Sequence, residues 1–600
     1  MERKVRIGCG CGFWGDSAAG PAQLVRSGRI DVLMLDYLSE ITMSLLARAR
    51  QKRADLGYAT DFVTAVMTPL ARDIAERGIK VVTNAGGVNP AACRAALMAA
   101  FERLGVRLTV ATVTGDDVSA ELPALRESGV VDLESGRPLP ERVVSANVYL
   151  GAFPIAHALR QGADIVITGR CVDSALALGP LIAAFDWQPA DVDRLAQGSL
   201  AGHIIECGTQ ATGGITTDWR EVATGWDDMG YPIVECGADG SFIVTKPPGT
   251  GGAVTVSGVA EQITYEVHDP AAYLLPDVIC DWSQVQLQDL GDDRVRVCGA
   301  RGRPPSPDYK ASVTYPDGFR CTATVMIVGR EAVEKGRHVA AAILGRTRRL
   351  LTDAGFSDYR ATSVEVLGSE ASYGPHSMAT ATREVILKIA VSHEREEALE
   401  LFAREIFPAA TSMAQGLTGF AGGRPSVQPI VRLASCLVPK SSVEVSVEVN
   451  GRVEVLPPTA AQTVARAPAP AAHAKSASLG SSRVAEVVPL IRLATGRSGD
   501  KGDTANIGVI ARRPEFVNVL ASELTAERVA AWFAHLIDGP VERYDWPGLN
   551  AWNFVVRRAL GGGGIASLRY DPQGKSYAQI LMDFPVGVPS EWLAPGGLLA

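Results

Sequence analysis

Apolar residues fall into two rhythms along the first 180 positions. Short unbroken runs (Val5–Gly8, Ile30–Leu38, Lys80–Asn84, Arg107–Thr114, Asp164–Gly169) alternate with stretches such as Thr64–Arg77 and Ala91–Leu104, where apolar positions recur every three or four residues. An unbroken run suits a strand covered on both faces, and the longer period suits a half-buried helix. The alternation predicts an α/β fold over residues 1–250, a mostly parallel sheet with flanking helices.

From about Gly251 the texture changes. Ala253–Val267, Gln284–Val297 and Tyr309–Val328 are rich in Val, Thr and alternating polar residues, and Tyr315-Pro-Asp-Gly318 is a turn signal that predicts a hairpin. A helix over Arg330–Ala354, strands at Ser363–Leu367 and Glu384–Ser392 and a helix from Glu394 complete an α+β lobe at 251–455, free to share one extended sheet with the first region. The Ala/Pro/Ser composition of 456–484 reads as a flexible or semi-extended linker. Beyond it, 485–600 reads as a small C-terminal α+β domain. Its expected elements are strands Val487–Ala494 and Ala505–Ala511 around a polar loop, a helix over Glu515–Leu536, and late strands near Asn553–Val556 and Ala578–Phe584.

A chain of 600 residues exceeds one hydrophobic core, so roughly two to four domains are expected. A net charge of -8 without a long Lys/Arg block argues against a nucleic-acid partner. No apolar run approaches the roughly 18–20 residues that cross a bilayer, so no membrane association is expected. Met1-Glu-Arg-Lys4 leads straight into a strand without a signal-peptide core, and ten scattered cysteines suit reduced thiols in the cytoplasm. A sheet domain of this size is expected to form a homo-oligomer.

The first strand ends in Gly8-Cys-Gly10-Cys-Gly12-Phe-Trp-Gly15-Asp16, a turn that is either ligand-facing or merely tight. It matches neither Gly-x-Gly-x-x-Gly nor a P-loop, so no nucleotide cofactor is expected. Cys9-x-Cys11 lacks the second pair a metal site needs, so no metal is expected. Asp36-Tyr-Leu-Ser-Glu40, Thr83-Asn84-Ala-Gly86-Gly87-Val-Asn89-Pro90 and Thr168-Gly-Arg170-Cys-Val-Asp173-Ser174 close further strands, and in a parallel sheet they share the ligand-binding edge. Asn89, Asp173 and Ser174 serve equally as helix caps. Arg170 suits a substrate carboxylate or phosphate, or an ion pair with a neighbouring acid. In His203-Ile-Ile-Glu206-Cys207, a thiol lies near a base and an acid, but a buried cysteine beside a glycine turn reads as well. Tyr373-Gly-Pro-His376 is another polar loop. The densest polar cluster, Arg497-Ser498-Gly-Asp500-Lys501-Gly-Asp503-Thr-Ala-Asn506, reads as an anion-binding loop or as an exposed tip laced with weak ion pairs.

Together these segments, with Glu206–Gly214 and Gly419-Phe-Ala-Gly-Gly-Arg-Pro425, resemble the acyclic terpene utilisation family of AtuA type, and Ser498–Asp503 is the most specific match. The resemblance covers nearly all of the chain outside the linker. It implies a large family-specific region followed by a small ferredoxin-like domain, which can occur as separate chains. It also implies a catabolic setting in which branched acids are processed as acyl-CoA thioesters, and it carries over no catalytic residue.

The reading that follows is an enzyme for a small-molecule substrate, a branched acyl-CoA or related carboxylate, working by hydration/dehydration (a lyase) or hydrolysis. Coenzyme A enters as part of the substrate. Asp16, Asp36, Glu40, Asp500 and Asp503 are the acid/base candidates, with Cys207 as reserve nucleophile. Gly10, Gly12, Asn84, Gly86, Gly87, Arg170, Ser498, Lys501 and Asn506 are the binding candidates. The rivals are a non-catalytic acyl-CoA-binding or scaffolding subunit and a thioesterase using Cys207 with His203 or His376.

Overall fold

The computed structural model describes residues 3–379, 381–457, 484–564 and 566–600; most of the predicted linker, 458–483, lies outside the described residues. Strands Lys4–Cys9, Val32–Leu35, Lys80–Thr83, Ile165–Thr168 and Val110–Thr114 lie side by side in that order, all parallel. Val32–Leu35 and Ile165–Thr168 are wholly buried, as their unbroken apolar runs require. Helices Thr68–Arg77, Pro90–Leu104 and Ala175–Phe185 are among those that connect and flank these strands.

Antiparallel strands extend this sheet on both sides to eleven. Ile233–Gly237, Phe242–Thr245, Val295–Cys298 and Gln286–Asp289 continue it past Lys4–Cys9, and Val445–Val449 with Arg452–Leu456 continue it past Val110–Thr114. The second region therefore lends strands to the first one's sheet. A second sheet carries Ala361–Leu367, Glu384–His393 and Asp308–Val328. Helices Ala332–Asp353 and Glu396–Arg404 share its hydrophobic cluster. The C-terminal domain holds a four-stranded antiparallel sheet in the order Ala494–Lys501, Thr504–Ala511, Ala551–Val556, Val541–Trp546.

Five local expectations are corrected. Ala253–Val267 contains a helix, Val256–Thr264, capped by the Thr255 hydroxyl; its alternation gives way to a face packed on the C-terminal sheet. Tyr315–Gly318 is no hairpin turn. Asp308–Val328 runs on as one strand of 21 residues, and the register shifts between Pro316 and Phe319. Proline has no ladder donor and Gly318 sits at φ +76°, so the chain bulges instead of reversing. Val487–Ala494 divides into a strand ending at Pro489 and a new strand from Ala494, while Ala578–Phe584 holds the helix Tyr577–Leu581. The polar segment 497–506 is no exposed tip: it forms two paired strands turning at Gly502-Asp503, with Arg497, Ser498 and Asn506 buried.

Burial of these polar strands is explained by what they dock against. Arg497 Nη1 donates to Gln262 Oε1 at 2.6 Å, and its Nη2 lies 3.4 Å from the fully buried Glu261 carboxylate. Asn506 Oδ1 accepts the Glu266 N–H at 2.8 Å while its Nδ2 donates to the Thr264 carbonyl at 2.7 Å. Thr217 Oγ1 donates to the Gly496 carbonyl at 2.9 Å. Glycines permit the close approach, because a Cβ at Gly508 would stand 2.2 Å from Thr264 Oγ1. Buried polar groups need such partners, so docking aligns the two parts in one register.

This interface predicts that the halves stay together without their covalent link. Protease cleavage at a site inserted within 458–483 leaves fragments that co-elute on size exclusion. Arg497→Ala strands the Glu261 charge, at a cost of about 3–5 kcal/mol, and the cleaved fragments then separate.

Candidate functional site

The carboxyl ends of the parallel strands face the C-terminal hairpin across a cleft of about 830 Å³, open to solvent. Leu38, Glu40 and Ile41 line it beside Arg170 and Asp173. Glu266 and Val431–Leu433 form further walls. Asp500, Lys501 and the Gly562–Gly564 tract close it from the C-terminal domain.

Local chemistry places each charge. Ser39 caps the helix Glu40–Lys52 by accepting the Thr42 N–H at 3.3 Å, which fixes Glu40 at the first helical position, where the dipole favours an anion. Tyr149 donates its hydroxyl to Glu40. Arg170 lies with its guanidinium 4.4 Å from the Tyr149 ring centroid, pairs with Asp173 at 2.6 Å and donates to the Leu38 carbonyl at 3.2 Å. Lys501 pairs with Glu266 at 2.8 Å. Lys575 bonds the Tyr265 hydroxyl and stands 3.7 Å from Glu266 and 3.8 Å from Asp500. On the far side of the Asp36 backbone, the Asn84 amide spans the strand ends, donating to Asp36 Oδ1 and accepting the Tyr37 N–H, both at 2.7 Å.

The cluster holds its acids at different protonation levels. Burial alone raises the Glu40 carboxyl, but Arg170, Lys501 and Lys310 outweigh it and hold Glu40 down to about 2. Burial and the Glu266 carboxylate push Asp500 up to about 7, against the pull of Lys575. Burial also raises Asp36 well above the carboxylate range, helped by Asp173 and opposed by Arg170. Burial would deprotonate Lys501, yet Glu266 and Glu40 keep its ammonium charged. Glu266 itself stays ionised because Lys501 and Lys575 overcome its burial. An ionised acid, a carboxyl near neutrality and fixed cations therefore share one hollow.

Of the residues expected to bind or react, Glu40, Arg170, Asp500 and Lys501 line the cleft. The others are placed elsewhere. Asp16 ties its own turn together through the Gly12 and Ser17 N–H groups. Gly10 packs against Pro21, and a Cβ at Gly12 would meet the Cys207 backbone at 2.8 Å; the glycine-rich turn is tight rather than ligand-facing. Gly86 abuts the Thr168 carbonyl, and Gly87 adopts φ +54° against Leu46. Asp36 and Asn84 lie buried behind the cleft wall. Ser498 donates to the Gly574 carbonyl at 2.6 Å, inside the C-terminal domain, and Asn506 serves docking. Asp503 accepts the Leu560 and Gly562 N–H groups at 3.0 and 2.8 Å, holding the glycine tract in place without lining the cleft.

Cys207 does not line the cleft either, and burial with the Glu206 carboxylate raises its thiol well above the ordinary range. His203 is buried, with Nδ1 3.3 Å from Glu206 and Nε2 at the Ile263 carbonyl. His376 stacks on Trp532 at 3.7 Å in another quarter of the molecule. Asn89 caps its helix as expected, whereas Ser174 makes no cap bond and Asp173 turns to Arg170. Gly419–Pro425 borders a different hollow, beside Thr322 and Thr324. Sequence reasoning passed over Tyr149, Tyr265, Glu266, Lys310, Arg432, Lys575 and the Gly561–Gly564 run. Four consecutive glycines were a visible signal; an isolated Tyr-Glu after a helix gives none.

The raised Asp500 carboxyl has a sign that can be checked. The folded state binds this proton more tightly than the unfolded chain, so the group's contribution is favourable at acid pH and is lost as pH rises through about 7. Asp500→Asn removes that loss. Thermal unfolding scans are therefore expected to show the variant gaining on the parent protein between pH 5 and pH 8.

Comparison with curated proteins gives no match, and comparison with solved structures gives none. The family models do match: one for the AtuA ferredoxin-like domain covers residues 488–587, and one described as acyclic terpene utilisation family protein AtuA covers residues 5–449. With three quarters of its length inside that second match, the chain belongs to the acyclic terpene utilisation family AtuA.

Proposed function

We propose that this protein is a catabolic lyase that adds water to, or removes it from, a branched acyl-CoA or a related carboxylate. The observation that carries this reading is a carboxyl near neutrality, Asp500, lining one open cleft with Lys501, Glu40 and Arg170 and standing 3.8 Å from the Lys575 ammonium. Dehydration of a β-hydroxyacyl group removes a proton next to the carbonyl and delivers one to the departing hydroxyl. An acid/base poised near the working pH moves such protons best. Lys501 and Arg170 offer positive charge where the carbonyl oxygen turns negative as the proton leaves. Ionised Glu40 orients Tyr149 and balances the cations.

The family's setting in acyclic terpene utilisation supports a branched aliphatic substrate, and Leu38, Ile41, Val431 and Leu433 supply apolar wall for it. Hydrolysis through Cys207 is the weaker reading, because its thiol is raised rather than activated, His203 faces Glu206 and the Ile263 carbonyl, and His376 stacks on Trp532. A silent acyl-CoA-binding subunit gives no reason for a carboxyl held near neutrality.

The test is incubation of purified protein with branched 2-enoyl-CoA and 3-hydroxyacyl-CoA thioesters, followed by mass spectrometry. The expected product differs from the substrate by one water, with the thioester intact. Asp500→Asn lowers kcat by about 10²–10⁴-fold, and Lys501→Met abolishes turnover. Release of free coenzyme A that stops in Cys207→Ser protein would establish the thioesterase instead, and no change in any thioester would leave the binding subunit.

A further inference from the structure

Behind the wall formed by Arg432 lies a second hollow of about 840 Å³. Arg360, Arg432 and Arg569 line it, with Ser363, Ser392 and Ser567 alongside. Arg432 and the glycine tract belong to both hollows: Gly561 borders this one and Gly562–Gly564 border the cleft. The two are neighbours across one arginine and one flexible-residue run.

The charge here is unbalanced. Asp317, on the bulge of the long strand, is the one carboxylate among the lining residues. It bridges two guanidiniums, pairing with Arg360 at 2.9 Å and with Arg432 Nε. One carboxylate shared in this way aligns the two forks but cannot neutralise both, and each guanidinium carries more donors than a shared carboxylate accepts. Arg569 is held by the carbonyls of Leu536 and Ala559 and by the Tyr577 hydroxyl, and among the described residues no carboxylate pairs with it. Cation density of this kind, with hydroxyls alongside, fits the oxygens of a phosphoryl group.

The surroundings make the hollow a built feature. Asp503 pins the glycine tract through Leu560 and Gly562, and Lys388, itself paired with Glu365, donates to the Leu568 carbonyl at 2.6 Å. A Cβ at Gly562 would stand 2.7 Å from the Arg432 guanidinium, and one at Gly563 would stand 1.9 Å from the Gly502 carbonyl. The shared wall can stand this close because both positions lack a side chain.

We infer that this second hollow binds a phosphate-bearing group of two or more negative charges, the tail of a ligand whose reacting end occupies the neighbouring cleft. Anion binding by the hollow stands alone; its link to the cleft rests on the cleft being the reaction site. Isothermal titration of the intact protein with inorganic pyrophosphate tests the first. One equivalent is expected to bind, Arg360→Gln and Ser363→Glu are expected to weaken binding tenfold or more, and Lys501→Gln is expected to leave it. Folding of each variant is checked by circular dichroism. No binding, or binding lost in Lys501→Gln and kept in both other variants, overturns the proposal. The link is tested by comparing a phosphate-bearing thioester with the same acyl group on a short thiol. Arg360→Gln should raise KM for the former with kcat unchanged and leave the latter unaffected; equal effects on both overturn the link. Should turnover fail altogether while pyrophosphate still binds in this pattern, the lyase reading falls and the anion site stands.

Discussion

Everything chemical in this molecule depends on a salt-bridged contact between two distant parts of the chain. The segment Glu261–Glu266 presents two carboxylates to the C-terminal hairpin, which answers with Arg497 and Lys501. Arg497 with Glu261 lies out of water and sets the register; Lys501 with Glu266 lies four to five residues further along and lines the cleft. Removing two charges from water is expensive and is recovered only with good geometry. The amide and hydroxyl bonds of Asn506 and Thr217 supply that geometry. The same contact that joins the parts thus also places an ammonium group opposite Glu40 and Arg170.

The parallel core was legible because its strands are buried on both faces, and burial of that kind leaves unbroken apolar runs in the sequence. Val32–Leu35 and Ile165–Thr168 could hardly be read otherwise. The C-terminal hairpin was not legible, and the reason is instructive. Arg497, Ser498 and Asn506 are buried polar residues whose partners lie far along the chain, in other elements. A local reading sees only their polarity and assigns a loop. Helix Val256–Thr264 was misread for a related reason: its apolar and polar residues serve two different neighbours, so no single periodicity emerges.

The candidate site was legible by half. Glu40, Arg170, Asp500 and Lys501 stood out as charges at strand ends or beside glycines, and they meet in the cleft. The glycines at 10, 12, 86 and 87 misled, because backbone crowding selects glycine as strongly as ligand approach does, and the sequence does not distinguish a proline ring or a carbonyl from a phosphate. Glu266, Tyr149 and Lys575 come from segments that carry no local signature. Their proximity is a product of tertiary docking alone.

The acid–base inventory of the cleft has a consequence for how a ligand enters. Asp36 and Asp500 already sit above their ordinary range because burial, and after it neighbouring carboxylates, oppose their ionisation. Another negative group seated beside them adds to that repulsion, so their hold on hydrogen ions tightens. Entry of an anion is then accompanied by capture of hydrogen ions from bulk solvent, and the affinity measured for any anion becomes a function of acidity even though the anion itself never titrates.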